Sequence, residues 1–194
     1  MRHSGITRFL VSGALILALV ACAAGPAKGP NNKPTASAVH GASIADRSSW
    51  RNQQQALEEQ LRIRLAATAA TVWVAADGLR VRMPAHEVFV TDSIGIRPEA
   101  QHLLEQLAQT LQPAAGIKLT IQVYTDSLDE SAAARAFTAA RALAVVAVLQ
   151  SQGIASERLQ SEGVGRADPL SPSDTAEGRS ANRRLEILIS PLSF

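Results

Sequence analysis

Alternation of apolar and polar positions marks out the folded part of the chain. Leu79, Val81 and Met83 alternate with Arg80 and Arg82, which predicts a strand with one buried face. Ile117, Leu119, Ile121 and Val123 alternate over a longer stretch, and Leu185, Ile187 and Ile189 repeat the pattern near the end. Leu159 to Gly163 reads as a short strand, Val88-Phe89-Val90 as an extension of the sheet, and Asp77-Gly78 as a turn. Helical spacing lies between these runs. Leu103, Leu104, Leu107 and Leu111 share one face of a helix that Pro98 opens and Pro113 and Gly116 end. Ser131 to Gln150 is Ala-rich and helical and stops at Gly153; Asp174 to Asn182 predicts a short helix or loop. Strands alternate with helices, so the class is α/β, a two-layer sandwich with helices on one face of a sheet.

Upstream the pattern changes twice. From Trp50 to Thr71, Leu57, Leu61 and Leu65 recur at i+4 with Gln, Glu and Arg on the other faces. The stripe falls short of the three or four heptads of a coiled coil. It predicts an N-terminal helix over residues 49–71 that packs on the following domain, residues 72–194. Residues 23–48 are rich in Ala, Gly, Pro, Asn and Ser, with Val39 and Ile44 as the only large aliphatics. They read as a disordered tether with a root-mean-square span of roughly 28 Å.

Phe9 to Val20 is an apolar run of 12 residues broken by Ser12 and Gly13 and preceded by Arg2 and Arg8. It is shorter than the about 20 residues that span a bilayer and suits a secretory signal over residues 1–21. The run ends in Leu19-Val20-Ala21-Cys22, which resembles the lipobox of bacterial lipoproteins. That resemblance implies that Cys22 becomes the first mature residue and carries fatty-acyl chains such as palmitate, which anchor it in a membrane. Ala23 in place of an aspartate favours the outer membrane, with the protein facing the periplasm.

Charge and composition remove several function classes. Lys and Arg number 19 against 17 Asp and Glu in 194 residues. Without Arg2 and Arg8 the balance is 17 against 17, which does not suit a nucleic-acid-binding surface. The single cysteine excludes an internal disulfide framework and a Cys-rich zinc site. His86-Glu87 lacks the second histidine of a zinc-protease helix. The run from Gly163 to Asp168 lacks the third small residue of a dinucleotide loop, and no serine sits in a nucleophile elbow. Asp126, Asp129 and Glu130 match neither a calcium loop nor an acid/base pair. No cofactor, metal or catalytic function is expected.

Five further motifs occur in order. Phe89 precedes Asp92-Ser93 and Pro98-Glu99-Ala100; Thr125-Asp126 follows the strand Ile121–Val123; Arg141-Ala142 comes 15 residues after Asp126; Gly163, Gly165 and Pro169 follow; and Asn182-Arg183-Arg184-Leu185-Glu186-Ile187 closes the series. From about Leu79 to Ser190 the chain resembles the OmpA-like C-terminal domain family. The resemblance implies a mixed sheet and non-covalent binding of peptidoglycan through the meso-diaminopimelate of its stem peptide. Carried over, Asp126 receives the ligand ammonium and Arg141 grips its carboxylate, with Thr125, Asp92, Asn182 and Arg183 as secondary site residues. A zwitterion needs one anion and one cation a few Å apart, and the planar arginine fork suits a carboxylate. The residues alone are less decisive. Arg135 and Arg141 point about 120° apart on a helix, so one of them points somewhere particular, and the sequence does not say which.

The family's Gly-His before Thr-Asp is here Val123-Tyr124, the glycine three after the aspartate is Asp129, and the asparagine eight after it is Ala134. These departures predict a remodelled rim. Two functions stay open: an outer-membrane lipoprotein that ties the membrane to the wall, or a periplasmic protein-interaction module with weakened or lost wall binding. An exposed Leu57-Leu61-Leu65 stripe favours the second, and a buried one removes its main support.

Overall fold

The computed structural model describes residues 44–126 and 132–192. The signal segment, Cys22, nearly all of the tether, Asp129 and Glu130 lie outside the described residues.

Five strands form one sheet in the order β1-β2-β5-β3-β4. They are β1 (Thr71–Ala75), β2 (Gly78–Pro84), β3 (Ile117–Tyr124), β4 (Leu159–Gly165) and β5 (Arg184–Pro191). β1 to β2, β2 to β5 and β5 to β3 are antiparallel, and β3 to β4 is parallel, so the sheet is mixed. The one parallel pair is joined through the long helix α4 (Ala132–Ser151), the crossover such a pair needs. The other helices are α1 (Ile44–Leu65), α2 (Ala85–Val88), α3 (Pro98–Leu111) and α5 (Ala176–Asn182).

The alternating residues separate the two faces of the sheet. Leu79, Val81, Met83, Leu119, Ile121, Val123, Leu185, Ile187 and Ile189 are buried in one core with Leu104, Leu107 and Leu111 of α3 and Val145 and Leu149 of α4. Fully burying each such side chain contributes about 1.5–3 kcal/mol. The opposite face carries Arg80, Arg82, Gln122, Tyr124, Arg184 and Glu186.

Gly163 lets α4 lie against β4. A Cβ there would sit 2.3 Å from the Ala139 amide nitrogen and 2.6 Å from the Arg135 carbonyl oxygen. The small side chains along α4 serve the same close approach.

Three expectations differ from the structure. α1 starts at Ile44, inside the expected tether, and ends at Leu65 rather than Thr71. Asp46 in its first turn complements the helix dipole. The Thr68 hydroxyl donates to the Leu65 carbonyl at 2.8 Å and closes the last turn. The chain then forms β1, a strand absent from the expected elements, because Thr71–Ala75 is short and lies half-exposed at the sheet edge. Val88-Phe89-Val90 does not extend the sheet. Val88 ends the single turn of α2, and Phe89 makes one isolated bridge to Ile96. Its apolar side chains are spent on the core instead: Val88 and Phe89 are buried.

The leucine stripe of α1 is buried, with Leu61 at 0% exposure and Leu57 and Leu65 below 5%. It packs in the same core as the sheet.

Candidate functional site

Asp126 lies just past the end of β3, and Arg183 just before β5 begins. The two strands are antiparallel, so both residues come to one end of the sheet. Arg183 Nη1 donates to Asp126 Oδ2 at 2.6 Å. The same end holds the segment after β2. The Ala85 N–H donates to the Arg183 carbonyl at 2.9 Å, and the Phe89 N–H donates to the Ala85 carbonyl at 2.8 Å.

Phe89 leads to Arg141. The Arg141 guanidinium carbon lies 4.7 Å from the centre of the Phe89 ring and 4.4 Å from that of Phe137, one helical turn earlier on α4. Its Nε donates to the Ser93 carbonyl at 2.8 Å, and one Nη donates to the Val90 carbonyl at 3.4 Å. Burial pushes its pKa down, and the charge of Asp92 opposes that. Backbone acceptors and aromatic faces thus hold the guanidinium while, among the described residues, no carboxylate is hydrogen-bonded to it, which leaves its charge available to an anion. Of the two arginines on α4, Arg141 is therefore the one that points to a particular place. Arg135 is exposed, its stem beside Gly165.

Asp92 occupies a turn with φ 49° and is exposed. Val90 and Ile94 flank it as exposed apolar side chains. The Thr125 N–H donates to the Gly165 carbonyl at 2.9 Å and ties the end of β3 to β4. Asn182 is fully occupied. Its Oδ1 accepts from the Leu170 and Ser171 amides, and its Nδ2 donates to the Ser171 carbonyl and the Ser173 hydroxyl. It is 2% exposed, so its amide fastens the 170–173 loop and leaves no group for a ligand. This removes Asn182 from the expected ligand-binding set. Asp126, Arg183, Arg141 and Asp92 are linked through the contacts above.

Residues 88–183 are an OmpA family domain. The chain is 30% identical over 135 residues to the probable lipoprotein YiaD of Escherichia coli K12, covering 70% of this chain and 62% of that protein. It is 29% identical over 102 residues to the peptidoglycan-binding protein ArfA of Mycobacterium tuberculosis H37Rv, covering 53% of this chain and 31% of that protein. The structure of the cell wall anchor of the T6SS from Pseudomonas aeruginosa superposes with a TM-score of 0.59 at 28% identity, over 69% of this chain and 98% of that one. The chain spans less than two thirds of the length of either sequence relative.

Within the OmpA family domain the departures are absorbed by packing. Val123 faces the core at 0% exposure, pairs with Leu185 and does not have a positive φ, so the position requires no glycine. Tyr124 faces the other way. Its ring lies 3.5 Å from the Arg184 guanidinium carbon, and burial raises its pKa. Ala134 sits half-buried in the first turn of α4.

Phe137 and the carbonyls of Val90 and Ser93 were not candidates at the level of sequence. The i, i+4 spacing of Phe137 and Arg141 carries a signal for the stacking. Backbone acceptors leave no trace in side-chain identity.

Proposed function

We propose that this chain is a non-enzymatic, lipid-anchored protein that binds peptidoglycan non-covalently and ties the outer membrane to the cell wall. The carrying observation is the Arg141 guanidinium, held by two backbone carbonyls between Phe89 and Phe137, at the sheet end where Asp126 presents its carboxylate. The free end of meso-diaminopimelate is a zwitterion. Its carboxylate takes the Nη face of Arg141, and its ammonium takes Asp126 in exchange for Arg183. Asp92 and Thr125 line the rim. The names of the lipoprotein and peptidoglycan-binding relatives support this reading, as does the solved cell wall anchor. Acyl chains on Cys22 and the 22–48 tether supply the membrane end. Membrane anchoring raises the effective concentration at the wall, so single contacts need not be tight. The buried leucine stripe of α1 removes the main support for a protein-docking function in its place.

The test is co-sedimentation with diaminopimelate-type sacculi. The wild-type chain is expected to pellet, while Asp126→Ala and Arg141→Ala, each checked for folding, are expected to stay in solution. Charge-assisted hydrogen bonds contribute about 1.5–3 kcal/mol each, so each loss weakens binding about ten- to a hundredfold. A folded wild-type protein that does not pellet sinks the proposal.

A further inference from the structure

A second cluster of arginines lies at the same end of the sheet but on the face opposite the hydrophobic core, beside α5. β5 sends Arg184 onto that face and β2 sends Arg82, and the two strands pair there with Pro84 opposite Arg184. Together with Thr71 of β1, Ser180 of α5 and Leu170 they wall a cleft of about 260 Å³. Among the described residues, no acidic side chain lines it.

The cations are held in different ways. Arg184 is 1% exposed and fully engaged: Nε donates to Glu186 Oε1, one Nη to the Asp168 carbonyl and the other to the Asn182 carbonyl. The Asp168 carboxylate, 3.8 Å from Arg184 and mostly exposed, is not part of the cleft wall. Arg82 is different. Its Nε donates to Glu186 Oε1 at 2.9 Å, and its guanidinium stacks 4.6 Å from the centre of the Trp73 ring. That fixes its plane. Among the described residues its two Nη groups have no recorded partner.

We propose that this cleft is a second anion subsite, which takes another carboxylate of the wall stem peptide on the Nη edge of Arg82. The inference rests on the wall-binding reading for its ligand. A planar, pre-oriented fork suits a carboxylate. The Thr71 and Ser180 hydroxyls complete a polar rim, and Pro84 and Leu170 give an aliphatic wall for a methyl or methylene group beside it. The cleft is smaller than the roughly 300–1,000 Å³ of sites that enclose a whole drug-sized ligand. It suits one end of a molecule held elsewhere as well.

The test is calorimetric titration of the full-length chain, in detergent, with the disaccharide tetrapeptide released from diaminopimelate-type sacculi. Arg82→Gln is expected to weaken binding five- to twentyfold, and Arg82→Lys to recover only part of it, because a lysine keeps the charge without the fork. Arg82 also supports Glu186, so a second variant fills the cleft from the exposed α5 side without touching that network: Ala181→Trp is expected to weaken binding to a similar degree with an unchanged thermal midpoint. Wild-type affinity in a folded Arg82→Gln or Ala181→Trp protein overturns the subsite and leaves the Asp126–Arg141 site standing. Failure of the wild-type chain to bind the muropeptide, with folding intact, overturns the wall-binding reading and the subsite together.

Discussion

Glu186 and Asp126 both pair with arginine, and their surroundings give the two pairs opposite uses. The Glu186 side chain is 4% exposed and takes Arg80, Arg82 and Arg184 at 2.8–2.9 Å. Both of its oxygens are committed, and one of its partners, Arg184, is as buried as it is. Asp126 is 18% exposed and, among the described residues, holds one arginine, Arg183, that is 44% exposed. Taking a buried charge from its partners leaves it uncompensated at low dielectric, whereas an exposed pair exchanges with water and ligands at little cost. The same residue types therefore build the frame at Glu186 and an exchangeable contact at Asp126. A binding site needs the second kind.

Substitutions separate the two carboxylates, and the largest effect is expected at the frame. Glu186→Gln leaves three arginines without their shared anion and should cost about 3–5 kcal/mol in urea unfolding. A loss under 1 kcal/mol would erase the distinction drawn here. Next comes the close helix–strand contact below the site. Gly163→Ala forces a methyl into the backbone of α4 and should cost about 1–3 kcal/mol by the same measurement.

Acid should weaken the frame through Glu186. Burial pushes its pKa up, but the hydrogen bonds from Arg184 and Arg82 and the charges of both outweigh that and hold it below the ordinary 4.5. A depressed folded-state pKa gives stability that is fully present above the unfolded value and lost as pH falls through the folded one. Thermal midpoints should therefore hold above about pH 5 and drop below about pH 4, and Glu186→Gln should flatten that drop. An equal drop in both proteins breaks the assignment. The smallest effect belongs to the partly exposed pair of Asp126 and Arg183. Asp126→Asn should change stability by less than about 1 kcal/mol while removing sacculus binding. A large destabilisation would place Asp126 in the frame with Glu186.

Much of this was legible in the chain. Ile117 to Val123 and Leu185 to Ile189 alternate because one face of each strand is buried, and period-2 patterning records that directly. Leu57, Leu61 and Leu65 recorded a helix with one apolar stripe. β1 was not legible: an edge strand with partly exposed residues on both faces has no alternation to read. Val88-Phe89-Val90 misled because burial in a helical turn and burial in a strand look alike over three residues. Asn182 sits in a motif that resembles ligand-binding positions, but its amide is consumed by a loop 11 residues away in sequence, a contact that composition does not encode.

By itself the sequence determined the class of fold, the order of its main elements and the residue types able to hold a zwitterion, because periodicity and motif order are local properties of the chain. Only the tertiary structure decided which charges are spent and which stay available. Arg141 and Arg135 lie on one helix, and Arg183 and Arg184 are neighbours, yet one of each pair serves the site and the other does not serve it. That choice is made by what each side chain meets: aromatic faces and backbone carbonyls for Arg141, a partly exposed carboxylate for Arg183, and a buried carboxylate and an aromatic ring for Arg184. Electrostatic worth depends on burial and on the number of partners, and both arise only when distant segments pack together.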